Sequence, residues 1–180
     1  MKATGIVRRI DDLGRVVIPK EIRRTMRIRE GDPLEIYTDA DGEVIFKKYS
    51  PIGELSPFAT QYAEVLSRNT GLAVLVSDRD HIVAVSGISK KEFLERRISP
   101  ELEDLMENRR AYMMKASDIK QVVPVEGIDK GAGVVVPILA AGDVTGSVIL
   151  LLSENNTIPS ESDLKLVQVA SAFLGRQMEE

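Results

Sequence analysis

The side chains best placed to do chemistry are basic and lie at one end of the chain. Residues 1–29 hold nine of them, Lys2, Arg8, Arg9, Arg15, Lys20, Arg23, Arg24, Arg27 and Arg29, against three acidic ones, Asp11, Asp12 and Glu21, a local balance of +6. The rest of the 180 residues carry 15 basic and 25 acidic side chains, a balance of −10, so the net charge of −4 conceals a polar division. Arginine's planar fork can hold a phosphate, or the O6/N7 edge of guanine, through two parallel bonds that lysine cannot match. The chemistry implied is recognition of a polyanion. Screening at cellular salt acts over roughly 8 Å, so local sign decides what a phosphate backbone meets. The acidic remainder repels such a backbone everywhere else.

Other chemistries find little support. The chain has no cysteine, which excludes disulfides, thiolate metal sites and redox thiols, and its single histidine, His81, leaves no His/Cys zinc set. His81 stands beside Asp78 and Asp80, but no serine lies in a Gly-x-Ser-x-Gly setting, and a turn histidine is the simpler reading. Asp39-Ala40-Asp41-Gly42 echoes the start of a calcium loop without its remaining ligands, so a hairpin turn is expected there. Gly131-Ala132-Gly133 precedes an apolar run rather than following one, the wrong order for a dinucleotide loop. No catalytic residue, metal ligand or cofactor is therefore expected, nor an enzyme. No run reaches the ~20 apolar residues of a membrane span. The start, Met1-Lys2-Ala3-Thr4-Gly5, lacks the apolar stretch of an export signal. A cytoplasmic, nucleoid-associated protein is the expectation.

The elements that must position the arginines are short. Gly5–Ile10 and Arg15–Ile18 are rich in β-branched residues and predict strands, with Asp11-Asp12-Leu13-Gly14 as the turn between them. Pro19 suits a helix start, and Lys20–Arg27 predicts a short helix with Ile22 and Met26 on one face and Arg23 and Arg24 on the other, stopped by Gly31-Asp32-Pro33. Leu34–Thr38 and Val44–Lys47 read as strands about an Asp41-Gly42 turn. A piece of about 50 residues has too little interior to stand alone, so residues 1–50 are expected to pair with a second copy.

Residues 51–55 predict a linker, and 56–180 a second domain. Ser56-Pro57 opens a helix over 56–69 with Phe58, Tyr62, Val65 and Leu66 on its apolar face. Leu72–Val76 and Ile82–Val85 predict a hairpin, and residues 90–110 a charged helical stretch. Ala132–Leu139 and Val144–Leu152 are near-continuous Val/Ile/Leu runs, the mark of strands covered on both faces. A final helix over 161–178 follows Ser160 and Asp163, which stand at capping-box spacing. Leu164, Val167, Leu174 and Met178 lie on one side, widened by Leu166, Ala170 and Phe173. A stripe that broad can meet its own sheet and a partner helix together. No internal repeat or low-complexity segment is evident.

Thr4-Gly5-Ile6-Val7-Arg8-Arg9-Ile10-Asp11-Asp12-Leu13-Gly14-Arg15-Val16-Val17-Ile18-Pro19, then Glu21-Ile22-Arg23-Arg24, closely resembles the AbrB family of transition-state regulators. Leu34–Tyr37 and Lys47-Lys48-Tyr49 continue the likeness to about residue 50. The resemblance implies a swapped-hairpin β-barrel dimer that binds double-stranded DNA through arginines of the first loop and the helix. The family positions fall on Arg8, Arg15, Arg23 and Arg24, with Arg9 and Lys2 in support. The remainder resembles a GAF domain, by element order more than by residues. A GAF domain behind an AbrB-type module implies a regulator of late sporulation genes, both activator and repressor. The fold class expected is α+β: the barrel dimer, then a GAF-like α/β domain that assembles tetramers through helices 56–69 and 161–178. The GAF likeness leaves open a small-molecule ligand without naming one, since the cyclic-nucleotide signature is absent and there is no cysteine for a bilin. Neutralising ~6 to 8 phosphates per dimer predicts a log–log salt slope of about −5 to −7. With few side chains able to reach base edges, DNA shape is expected to carry much of the specificity. An AbrB-fold antitoxin, and a small-molecule binding module without DNA contact, are the competing readings.

Overall fold

The arginine-rich segment is organised by one aspartate. Our structure, a computed structural model, describes residues 4–118, 120–155 and 157–179, so Lys2 lies outside the described residues. The chain divides into two units, Met1–Tyr49 and Ser50–Glu180. In the first, the backbone turns at residues 11–15: Asp11 N donates to Arg15 O at 3.1 Å and Gly14 N to Asp11 O at 3.0 Å. Asp11 Oδ1 accepts from Leu13 N at 3.0 Å and Arg15 N at 2.8 Å. Gly14, at φ +74, takes the left-handed position the turn requires. Helix α1 (Lys20–Met26) follows Pro19. It ends at Arg27 rather than at the glycine further on, because Arg27 itself adopts φ +51 and turns its N–H to the carbonyls of Arg23 and Arg24.

Strands β1 (Leu34–Thr38) and β2 (Val44–Lys48) form an antiparallel ribbon with Leu34 opposite Lys48 and Thr38 opposite Val44. Their connection repeats the first turn bond for bond. Asp39 N donates to Glu43 O at 3.2 Å and Gly42 N to Asp39 O at 3.3 Å. Asp39 Oδ1 accepts from Asp41 N at 3.0 Å and Glu43 N at 2.9 Å. This is the expected plain turn, its leading carboxylate spent on backbone. Lys48 Nζ donates to the carbonyl of Arg27 at 3.0 Å, and Asp32 Oδ2 accepts from Arg29 N at 2.8 Å, tying the end of α1 to the ribbon.

Two segments differ in the single chain from the local sequence pattern. Residues 5–10 and 15–18 have the turn between them and, within a single chain, pair with no strand among the described residues. Their apolar side chains are uncovered: Val7 is 88% exposed, Ile10 69% and Val17 70%. Pro19 is the one buried residue among those described in the unit. Residues 51–55, expected as a linker, instead begin the second unit. Pro51–Glu54 is a helical turn (α2), capped by Ser50 Oγ accepting from Gly53 N at 3.1 Å, and Ile52 is fully buried in the second unit's core.

The second unit is a five-stranded antiparallel sheet between helical layers. Helix α3 (Ser56–Thr70) leads to β3 (Val74–Ser77) and β4 (Ile82–Ser86); α4 (Lys90–Phe93) and α5 (Pro100–Glu107) follow, then β5 (Tyr112–Met113), β6 (Ala132–Ala140), β7 (Asp143–Leu151) and α6 (Glu161–Gln177). The strand order is β4-β3-β7-β6-β5. Alternation splits the core cleanly: Val74, Val76, Val148 and Leu150 face α3 and α6, while Leu75, Ile149 and Leu151 meet Phe93, Ile98, Leu102 and Met106 on the other side. The apolar runs of β6 and β7 are thus covered twice, as their composition predicts.

Residues 90–110 are not one helical stretch. Segment 94–99 leaves the helix to bond elsewhere, Ile82 N donating to Arg96 O at 2.9 Å and Glu126 N to Arg97 O at 3.0 Å. Ser99, accepting from Leu102 N at 3.1 Å, restarts it ahead of Pro100. The capping box of α6 forms as expected, Asp163 N donating to Ser160 Oγ at 3.2 Å and Ser160 N to Asp163 Oδ2 at 2.8 Å. One turn apart near its end, Ser171 and Gly175 bring α6 onto β6. The Ser171 hydroxyl donates to the carbonyl of Pro137, and a Cβ on Gly175 would stand 2.1 Å from the carbonyl oxygen of Leu139. β5 pairs with only Val134 and Val135 of that strand.

Candidate nucleic-acid interface

Arg8 and Arg9 sit in the first arm, Arg15 closes the turn, and Arg23 and Arg24 occupy the last turn of α1; all five are exposed. A purely structural role is available to the last pair, whose charges complement the negative end of the helix, and to Arg15, which pairs with Asp11 across the turn. Arg15 is held within the turn. Its Nε donates to Asp11 Oδ2 at 2.8 Å, while the side chain stays 69% exposed, so the outer edge of the guanidinium faces solvent. The Arg15 backbone N–H, then its guanidinium, hold the Asp11 carboxyl below the usual carboxylate range. Asp11 was not among the residues singled out from the sequence. The signal was present in Asp-x-x-Gly-Arg, where a turn-forming aspartate stands four residues before an arginine.

The unit also exposes apolar surface next to these charges, including Leu13 at 70%, Met26 at 56% and Ile36 at 61%. An isolated monomer rarely leaves so much uncovered.

In the second unit His81 takes the turn position, its backbone N–H donating to Asp78 Oδ1 at 2.6 Å alongside Asp80 N at 2.7 Å. A shallow groove of about 420 Å³ passes Ser56, Asp78, His81, Val83 and Glu95. It brings together no nucleophile and base in hydrogen-bonding contact, and among the described residues no group of three or more His, Cys, Asp or Glu side chains could hold a metal ion. Apolar side chains on α3 and α6 meet at the surface: the Phe173 ring lies 5.8 Å from that of Phe58 and 5.6 Å from that of Tyr62. Val65 at 57%, Val169 at 62%, Leu166 at 41% and Phe173 at 43% continue as exposed apolar surface. The buried face of α3 is Ala59, Ala63 and Leu66, while Val65, on the apolar face expected from the sequence, points out. Among the described residues no helix is long and apolar enough to cross a membrane.

Comparison with known proteins agrees with this division. Residues 54–179 match the family model of the stage V sporulation protein T C-terminal, transcription factor, and residues 7–53 that of the antidote-toxin recognition MazE, bacterial antitoxin. Stage V sporulation protein T of Bacillus subtilis (strain 168) is 56% identical over 182 residues, covering 100% of both chains. The transition state regulatory protein AbrB of the same organism is 65% identical over 51 residues, 28% of this chain and 52% of AbrB. The GAF domain of an Acinetobacter phosphoenolpyruvate-protein phosphotransferase superposes with a TM-score of 0.56 at 12% identity, over 69% of this chain and 81% of that one, which shows the fold.

Together these define a transcription factor with an AbrB-type module ahead of a GAF-fold domain. The chain belongs to the stage V sporulation protein T family.

Proposed function

We propose that this transcription factor grips double-stranded DNA through Arg8, Arg9, Arg15, Arg23 and Arg24, with Lys2 in support, presented twice by a swapped-hairpin dimer of the N-terminal units. The observation that carries the reading is the coincidence, in one unit of 49 residues, of exposed arginines with arms whose apolar side chains are uncovered. Pairing two copies covers the arms and doubles the cationic set. The GAF-fold units then join dimers into a tetramer through the apolar surface of α3 and α6, and their fold is suited to holding a small molecule that tunes assembly. In a cytoplasmic, nucleoid-associated setting the protein activates some late sporulation genes and represses others, without enzymatic activity. The sporulation role is supported by the full-length relative's name, and the DNA contacts by the likeness to AbrB.

The Arg8→Ala/Arg15→Ala variant tests the reading in an electrophoretic mobility shift assay. Loss of the shift is expected, with a wild-type log–log salt slope of about −5 to −7; an undiminished shift rejects it. An antitoxin is the second reading, favoured by the family match over residues 7–53. It is opposed by residues 50–180 forming a packed unit rather than a toxin-wrapping tail. Co-purification of a toxin bound to that unit would turn the assignment.

A further inference from the structure

We infer that Asp11 is a positioning residue for DNA recognition: its carboxylate holds the Arg15 guanidinium so that the outer edge meets DNA already oriented. The inference rests on the DNA-binding reading above.

A carboxylate among DNA-facing arginines is at first sight unfavourable, since it repels phosphate and offsets one positive charge. The turn alone does not call for all that Asp11 does. At residues 39–43 the same backbone turn forms with the two Oδ1 bonds of Asp39, and the fifth position is Glu43, which offers no cation. At residues 11–15 the fifth position is Arg15, and the second carboxylate oxygen is turned to its Nε at 2.8 Å. The extra bond is thus separable from the fold of the turn. What it changes is the arginine. A free arginine samples many rotamers and must freeze one on binding, whereas an arginine fixed at Nε keeps its terminal nitrogens for a two-bond grip. The two backbone N–H groups on Oδ1 fix the carboxylate in turn, so the chain of support runs from the turn to the guanidinium. The Arg15 backbone N–H and guanidinium both favour the ionised form of Asp11.

The test uses the full-length chain and two duplexes, one enriched from a random pool by binding to the wild type and one of alternating inosine and cytosine. Asp11→Asn keeps an oxygen for the two backbone N–H groups and removes the charge that holds Nε. The expected result is an about fivefold to tenfold loss of preference for the enriched duplex, while affinity for the inosine–cytosine duplex rises about twofold because a negative charge has gone. In an Arg15→Ala background Asp11→Asn is expected to leave the preference unchanged. Asp39→Asn, the same substitution in the twin turn, is expected to leave it unchanged as well. Should Asp11→Asn fail to fold by circular dichroism, Arg15→Lys reads the same geometry; the preference is expected to fall with the salt slope unaltered. The inference is overturned if Asp11→Asn strengthens binding to both duplexes alike, if Asp39→Asn is as damaging, if the effect survives without Arg15, or if lysine serves as well as arginine. A wild type that binds neither duplex instead rejects the DNA-binding reading itself.

Discussion

Replacing Gly175 by alanine sets two physical effects of opposite sign against each other. Helix propensity alone predicts stabilisation, since alanine in a helix interior is about 1 kcal/mol better than glycine. Packing predicts the reverse. The new Cβ would stand 2.1 Å from the carbonyl oxygen of Leu139, and the obstacle is backbone rather than a side chain that can swing away. Restoring ordinary contact requires moving α6 off β6 by about 1 Å or more. That helix buries Val167, Ala170 and Leu174 and donates the Ser171 hydroxyl to Pro137, so displacement disturbs them together. Overpacking of this kind costs about 3 kcal/mol, which leaves a net loss of about 2 kcal/mol after propensity. For a unit of this size that corresponds to roughly 8 °C in melting temperature. Differential scanning calorimetry on the full chain, following the transition of the 50–180 unit, reads it directly. A melting temperature equal to or above that of the wild type would refute the close approach of α6 to β6.

Ile52→Ala is expected to destabilise the second unit by about 2 to 5 kcal/mol in denaturant titration, despite its place at the junction of the two units, because the side chain is fully buried. Glu179 is held below the usual carboxylate range by the N–H of Ala141 and then by Arg176, so its contribution is complete above the unfolded value near 4.5 and is lost as pH falls through the folded one. The melting temperatures of wild type and Glu179→Gln are accordingly expected to differ at pH 6 and to converge only once the pH has fallen well below the ordinary carboxylate range, the gap being small for so exposed a group. If the proposed tetramer forms through α3 and α6, Val169→Glu/Leu166→Glu is expected to convert it to dimers in sedimentation equilibrium with the circular dichroism spectrum unchanged, since both side chains are exposed on α6.

Features written in local spacing were legible in the sequence. Ser160 and Asp163 stand at the spacing that a capping box needs, and the box forms. The Val/Ile/Leu runs of β6 and β7 announce burial on both faces, and both faces are covered. The candidate arginines lie exposed, as cations in an arginine-rich segment are expected to. Features set by distant partners were not legible. Residues 94–99 leave the helical pattern for bonds to Ile82 and Glu126, which periodicity within 90–110 cannot contain. Residues 5–10 and 15–18 have strand composition without strand pairing, since composition states a preference and a ladder needs a neighbour. Ile52 lies among turn-forming residues, and only the second unit's core explains its burial. Asp11 escaped notice because a turn aspartate is ordinary until the arginine four residues on is seen to lean on it.

The seating of α6 against Pro137 and Leu139 bears on how copies of this protein can gather. A bare strand margin invites another margin, and sheets joined in that way can grow without limit into fibres. Along the part of β6 that β5 leaves unpaired, Pro137 brings no amide hydrogen, and the carbonyls of Pro137 and Leu139 already face a helix. Polymerisation along that rim is thereby discouraged.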